Sequence, residues 1–367
     1  MNWKPNVETV TGIHTAEQLL HDLVATPSPS HKEADAVTLL TTWMGSHGYD
    51  HTFVDAVGNA VGIIGKGDGS RDIVLLGHID TFPGQPPVRV EGRTLYGRGS
   101  VDAKGPLCTF AVAAANARIE LPEGVRFVVI GAVEEEAATS AGAHYVVNQY
   151  APQLCFIGEP SNWDRMTLGY KGRLLLEWHW EGDFAHSAGD VPTAGERAFA
   201  FWQRVQRYTA DVNGDTSSIF GRLHASVRDV NTGTSYGGTH QWGQMTVGFR
   251  LPPGVQPETV EAALAPEGDE TIRAFGRERP YVAEKDTILT RAVRGAIRKE
   301  GGTPRFVYKT GTSDMNVVGP RWHCPIVAYG PGDSALDHTP NEHVNLDEYQ
   351  TAIRVLTRAL ERLGSEI

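Results

Sequence analysis

The stretch DIVLLGHID, Asp72 to Asp80, decides the architecture. Its apolar residues run on without polar alternation, and turn residues flank it. That texture predicts a strand buried on both faces. Two more runs share it, VRFVVIGAVEEE from Val125 and QLCFIGEP from Gln153. Between them lie an Ala-rich stretch, 104–118, and a second stretch, 140–150, in the places helices would take. Strands alternating with helices predict an α/β domain, an open and mostly parallel sheet flanked by helices. Upstream, 14–25 has helical apolar spacing and 59–65 reads as a short strand. Ser30 and Glu33 form a capping-box pattern, which predicts a helix beginning at Ser30.

Beyond Glu159 the texture changes. Leu174 to Trp180 is strand-like, 193–208 helical, LHASVRDV and QMTVGFRLP strand-like, and 257–265 helical with its proline in the first turn. These elements, joined by polar connections, predict a small α+β domain inserted into the larger one. From Asp286 the α/β pattern resumes: a helix to Glu300, the strand PIVAYG and a final helix from Asn345. The expected division is 1–166 and 280–367 for the two halves of the larger domain and 167–279 for the insert.

The composition is that of an ordinary globular chain. Of 367 residues 40% are hydrophobic and 21% charged, which excludes disorder and coiled coil as the main organisation. The net charge of -11 disfavours nucleic acid as a general partner. Cys108, Cys155 and Cys324 form no CxxC, as suits a reducing compartment. The opening MNWKPNVETV lacks a signal-peptide pattern, and no apolar run approaches the roughly 18 residues of a membrane span. A cytoplasmic protein without a membrane partner is expected.

Chemistry-bearing residues gather where apolar strands end. GHIDTFPG delivers His78 and Asp80 into a loop, and sites in open α/β folds form at such carboxyl ends. His-x-Asp at strand spacing puts both side chains on one face, so His78 could bind a metal with Asp80 orienting its other nitrogen. An ordinary loop histidine is the bland alternative. YGRGSVDAKGP holds Asp102 in a glycine-rich turn before a helix, where a helix cap is the competing account. VEEEAATSAGA puts Glu134, Glu135 and Glu136 at the end of a buried strand. Adjacent acids there are costly unless a cation neutralises them or one takes a proton, although a surface charge run is the alternative. CFIGEPS supplies Glu159, and GDSALDHTPNEHV supplies His338, with His343 on the approach to the last helix. Taken one by one, these are ordinary loop residues. Taken together, His, Asp, Glu, Glu and His suit two divalent ions, Zn²⁺ or Co²⁺, sharing one bridging carboxylate.

The motifs GHIDTFPG, GRGSVDAKG, VEEE, GEPS and DHTPNEH, in this order over nearly the whole chain, resemble the two-zinc exopeptidases and deacylases. That family includes carboxypeptidase G, acetylornithine deacetylase and succinyl-diaminopimelate desuccinylase. The resemblance implies metal ligation by His78, Asp102, Glu136, Glu159 and His338, with Asp102 bridging and Asp80 orienting His78. It implies Glu135 as general base, with Glu134 standing where the family usually has Asp. The insert is similar to the family's lid or dimerisation domain, which implies a homodimer. His186 in DFAHSAG then matches the oxyanion-stabilising histidine, Arg250 in GFRLPPG a carboxylate-holding arginine, and Thr312 and Ser313 a substrate loop. One stretch departs from the pattern: YGGTHQWGQM stands where the family has Gly-Gly-x-x-Asn-x-Ile-Pro.

Within the family, YKGRLLLEWHWEGDFAHSA, KTGTSDMN and SALDHTPNEH resemble the lysine-releasing branch. That branch hydrolyses the amide joining lysine, sometimes ornithine, to the terminal Glu side chain of an amino-group carrier protein. The resemblance also implies an acidic carrier, and this chain is acidic too. A local positive rim using Lys171, Arg173 and Arg197 is therefore expected. Small-molecule deacylase, dipeptidase or carboxypeptidase activity is the nearest alternative, and a non-catalytic metal-binding scaffold a more distant one. The GxSxG match GTSYG, 233–237, lies between two strand-like runs rather than at a strand-to-helix elbow, which sets aside a serine nucleophile.

Overall fold

The computed structural model describes residues 13–117, 120–184 and 190–367. The chain divides into two compact units. The larger comprises Met1–Gly169, Ala283–Tyr308 and Ser313–Ile367, and the smaller Tyr170–Val282 with Lys309–Thr312. The short second piece joins the smaller unit through local bonds. The Lys171 amide donates to the Lys309 carbonyl at 3.3 Å, and the Arg250 guanidinium to the Thr312 hydroxyl at 2.7 Å.

In the larger unit the strands lie in the order His51–Val54, Ala60–Ile64, Val125–Ala132, Arg71–His78, Leu154–Gly158, Ile326–Ala328, Arg165–Tyr170. Arg305–Lys309 also pairs with the last of these. The α/β reading holds, with one correction. Pairing is parallel only at the centre, where Arg71–His78 lies between Val125–Ala132 and Leu154–Gly158 and the latter meets Ile326–Ala328. Towards both edges it is antiparallel, so the sheet is mixed rather than mostly parallel. The short connections at 55–59 and 159–164 turn the chain straight back and leave no room for a crossover helix. The central strands are buried on both faces: Ile73, Val74, Leu75, Phe127, Val128 and Phe156 are all inaccessible to solvent.

Two helices flank this sheet with clear sequence causes. Lys104–Asn116 is buried from Lys104 through Ala114, which its small residues permit, and it packs on the Arg71–His78 strand and the final helix. The final helix, Leu346–Glu366, begins where the Asn345 side chain accepts from the Asp347 and Glu348 amides, a cap worth about 1 kcal/mol. It buries the stripe Leu346, Tyr349, Ile353, Leu356, Leu360 and Leu363. Another start differs from expectation. The second helix is Ala34–Ser46, with no side-chain cap. Ser30 and Glu33 do not form a capping box. The Ser30 hydroxyl donates to Asp80, and the Glu33 carboxylate accepts from the His31 and Glu134 amides. Buried acceptors near the strand ends outcompete the local cap.

The smaller unit is a four-stranded antiparallel sheet, ordered His224–Ser235, His240–Leu251, Gly172–Asp183, Thr271–Glu278, with helices Ala194–Asn213 and Pro257–Ala263. From Gly172 to Trp180 every second residue is buried, so Leu174, Leu176, Trp178 and Trp180 point to the core. The helix answers with Ala198, Phe201 and Val205, and Trp178 stacks on Phe201 at 5.9 Å. Thr193 and Glu196 complete a capping box at its start. No helix of the described residues is long and apolar enough to cross a membrane.

Candidate metal centre

The centre lies in the larger unit, where three parallel strands end side by side. His78 closes Arg71–His78, Glu135 and Glu136 follow Val125–Ala132, and Glu159 follows Leu154–Gly158. Just before these ends Gly77 pairs with Gly131 on one side and Gly158 on the other. A Cβ on Gly158 would stand 2.8 Å from the Gly77 Cα, and one on Gly77 or Gly131 would press on Leu107. This row without side chains lets the Lys104–Asn116 helix approach the sheet and carry the preceding Asp102 up to His78.

Asp102 offers a different oxygen to each imidazole. Its Oδ1 lies 3.2 Å from His78 Nε2 and its Oδ2 lies 3.0 Å from His338 Nε2. Glu159 Oε1 is 3.9 Å from His78 Nε2, and Glu136 Oε1 is 2.9 Å from His338 Nε2. Two ligand groups result, His78, Asp102 and Glu159 in one and Asp102, Glu136 and His338 in the other, each with its ligand atoms within 4.8 Å. Asp102 belongs to both. It is not a helix cap, since the residue at the cap position is Ala103 and no side chain bonds there.

Electrostatics favour cations here. Burial pushes the Glu159 carboxyl well above the usual carboxylate range, reinforced by Glu135 and Asp102. Burial likewise raises Glu136, reinforced by Asp102. Hydrogen bonds with Asp102 and Glu136 push the His338 imidazole up to about 10. Burial disfavours a charged His78, yet contacts with Asp102 and Asp80 more than reverse that. Burial opposes ionisation of Asp102 too, but His338 and His78 hold its carboxyl well below the ordinary range. The carboxylates of Asp102, Glu135, Glu136 and Glu159 outnumber two imidazoles in a place with little water. Two divalent cations would resolve that imbalance, and the mixed oxygen and nitrogen donors fit them.

Asp80 is fully buried and ties two strand ends together. Its carboxylate accepts from the Ser30 hydroxyl at 2.7 Å and from the Glu135 and Glu136 amides at 3.0 Å each. Its Oδ1 also lies 3.4 Å from His78 Nδ1, and its carbonyl 3.0 Å from the same nitrogen. It thus faces the ring nitrogen turned away from Asp102. Glu134 and Glu135 diverge. Glu134 has a positive φ of 62° and turns its carboxylate to His31, at 3.1 Å, and the Thr139 hydroxyl. The charge of Glu135 acts on His78 and Glu159, and burial raises its carboxyl well above the usual range.

Sequence reasoning passed over a supporting pair. Glu342, 1% exposed, accepts from the Val101 and Asp102 amides at 3.0 and 3.1 Å and from the Arg98 guanidinium at 2.6 Å. Arg98 also donates to the carbonyls of His338 and Thr339. The loops carrying Asp102 and His338 are thereby joined, and the pairing of His343 with Tyr96 extends the join into a small sheet. Membership of GRGSVDAKG and DHTPNEH was the only sign either residue gave. Phe82 stacks on His338 at 4.3 Å.

The remaining expected residues divide between the two units. Arg250 lies in the smaller unit, bonded to Thr312. Ser313, in the larger unit, caps the Asp314–Trp322 helix by accepting from the Met315 amide. His186 lies outside the described residues. Of the expected rim, Arg197 stacks over Trp180 at 4.3 Å and faces Asp269, while Arg173 donates to the Gly276 carbonyl.

Comparison with known proteins identifies the class. The chain belongs to peptidase family M20/M25/M40, whose profile matches residues 74–362. It is 47% identical to a LysW-lysine hydrolase of Deinococcus radiodurans over 95% of this chain and 97% of that one. It is 38% identical to a putative LysW-lysine/LysW-ornithine hydrolase of Thermococcus kodakarensis, over 94% and 91%. Among solved structures, the fold is similar to an M20 family metallo-carboxypeptidase of Sulfolobus solfataricus, with a TM-score of 0.75 and 18% identity over 95% and 99% of the two chains. It is also similar to a tripeptidase of Staphylococcus aureus, with a TM-score of 0.76 and 14% identity over 96% and 99%.

Proposed function

We propose that this protein is a dinuclear-metal-dependent amide hydrolase that releases lysine, and also ornithine, from the terminal Glu side chain of an amino-group carrier protein. The observation that carries the reading is the 47% identity, across 95% of the chain, with a protein named for lysine release from LysW. The name of the 38% relative supports extending it to ornithine. A carboxylate shared by two metal-ligand groups supports the dinuclear part.

In this reading His78, Asp102, Glu136, Glu159 and His338 hold the two cations, Zn²⁺ by preference or Co²⁺. When bound, such a pair acidifies the attacking water and draws electron density from the scissile carbonyl. Asp80 fixes the His78 ring. Glu135 accepts the proton of the attacking water and returns it to the leaving α-amine, so that a C–O bond forms as the C–N bond breaks. His186 donates to the developing oxyanion, an interaction worth about 3 kcal/mol. Arg250 holds a substrate carboxylate, with Thr312 and Ser313 beside it. The enzyme works as a homodimer in the cytoplasm.

The test is direct. Chelated protein is reloaded with Zn²⁺ or Co²⁺ and assayed for free lysine from lysine-charged carrier, acetylornithine and succinyl-diaminopimelate. Preference for the charged carrier supports the proposal. Turnover of only the small acyl substrates overturns it.

A further inference from the structure

The two candidate ligand groups share Asp102, yet their imidazoles are held by different means. His78 turns its Nε2 to Asp102, and its Nδ1 lies 3.0 Å from the Asp80 carbonyl and 3.4 Å from the Asp80 carboxylate. Both ring nitrogens are engaged, so the ring plane is fixed. His338 brings its Nε2 to Asp102 and Glu136, but its Nδ1 has no hydrogen-bond partner among the described residues. It is also the more open of the two, its side chain 40% exposed against 1% for His78. Ligating histidines ordinarily have an outer partner on the second nitrogen, which fixes the ring orientation. His338 lacks that restraint.

What meets His338 instead is the ring of Phe82. The two rings stack with centroids 4.3 Å apart and planes 10° from parallel. Phe82 is 40% exposed, and a cavity of about 250 Å³ opens beside it, so core burial does not account for its position. Its backbone is firmly held. Thr81 is buried and donates its amide to the Ser28 carbonyl at 2.9 Å. Pro83 disfavours a helical backbone at Phe82, and Gly84 turns the chain at a φ of 106°. Arg98 touches both residues of the stack. Its guanidinium carbon lies 5.8 Å from the centre of the Phe82 ring, and its Nη2 donates to the His338 carbonyl at 3.4 Å. Arg98 thus restrains the backbone of His338, and the ring plane is left to Phe82.

We propose that Phe82 is a positioning residue for His338, its ring face setting the imidazole plane as Asp80 does for His78. The inference rests on the proposed ligand set. The cation held by Asp102, Glu136 and His338 then depends on an aromatic neighbour, and the cation held by His78, Asp102 and Glu159 does not.

The test uses the full chain, stripped with a chelator and titrated with Zn²⁺ by calorimetry and with Co²⁺ by visible absorption. His338→Ala identifies which of the two cations belongs to His338. Phe82→Leu and Phe82→Met keep an apolar side chain but remove the ring face, so one informative variant remains if the other misfolds. Phe82→Tyr keeps the face. The expected result is that Phe82→Leu and Phe82→Met weaken the His338 cation about tenfold or more, leave the other within about twofold and change the spectrum of Co²⁺ in the His338 group. Phe82→Tyr should restore both affinity and spectrum. Equal weakening of both cations, or a Phe82→Tyr protein that behaves like Phe82→Leu, would reduce Phe82 to a structural part and overturn the assignment. If His338→Ala loses one cation while Phe82→Leu and Phe82→Met bind both as the parent does, the ligand set stands and the inference fails. If His338→Ala keeps both cations, the ligand set itself fails, and the inference with it.

Discussion

Arg98 and Glu342 form an ion pair at 2.6 Å in the interior of the larger unit, where Glu342 also receives the amides of Val101 and Asp102. One carboxylate thus sets the backbone that presents the shared candidate ligand. Removing it leaves the Arg98 charge and two amides without their acceptor. Glu342→Ala should cost about 3 kcal/mol of stability and weaken metal binding about 10- to 100-fold. Thermal unfolding and metal titration of the purified variant check both numbers.

Asp102 stands between His78 and His338 with one oxygen for each. Asp102→Asn keeps the shape and removes the charge both groups share. Metal content per chain should fall from about two to below one, and hydrolysis by at least about a hundredfold. Elemental analysis after gel filtration reads the first, and a lysine-release assay the second.

Glu134 and Glu135 are neighbours in sequence with opposite surroundings. Glu135→Gln should retain both metals and lose about 10²- to 10⁴-fold in turnover, whereas Glu134→Gln should stay within about threefold of the parent. A fully active Glu135→Gln protein would place the base elsewhere.

Gly158 leaves 2.8 Å between a would-be Cβ and the Gly77 Cα. Gly158→Ala must spread two central strands at the end that carries His78 and Glu159. A loss of about 1–3 kcal/mol is expected, accompanied by weaker metal binding, as read by urea denaturation and metal titration.

Away from the centre, Glu300 bridges Arg354 and Arg358 at 2.8 and 2.9 Å. Arg354 first, then Arg358, lower its carboxyl below the ordinary 4.5, outweighing burial. A depressed folded value means stability that is complete above the unfolded value and lost as pH falls through the folded one. Both arginines are half-exposed, so the contribution is about 1 kcal/mol at most. Glu300→Gln should lower Tm at pH 7 and converge with the parent in acid. A constant Tm gap across pH would contradict this.

The parts of the architecture legible in the sequence were those with local causes. Apolar runs such as DIVLLGHID become central strands, and the alternation Leu174, Leu176, Trp178, Trp180 becomes a one-sided sheet face. Residue type at strand ends drew attention to His78, Asp80, Glu135, Glu136 and Glu159, which the structure brings together with Asp102 and His338. What stayed hidden depends on long-range partners. Ser30 and Glu33 match a capping box in spacing, but Asp80, fifty residues away, takes the Ser30 hydroxyl. The bond from Glu342 to the Asp102 amide spans 240 residues and leaves no periodicity to read. The antiparallel edges of the large sheet are set by connection length, which apolar texture does not encode.

All five candidate ligands, together with Asp80 and Glu135, come from the larger unit, while the described residues of the segment 170–282 contribute none. The cation-holding loops and the inserted module can therefore drift at separate evolutionary rates. Mutations that re-address the enzyme to a new amide can accumulate in the insert while the cation-holding loops are left untouched.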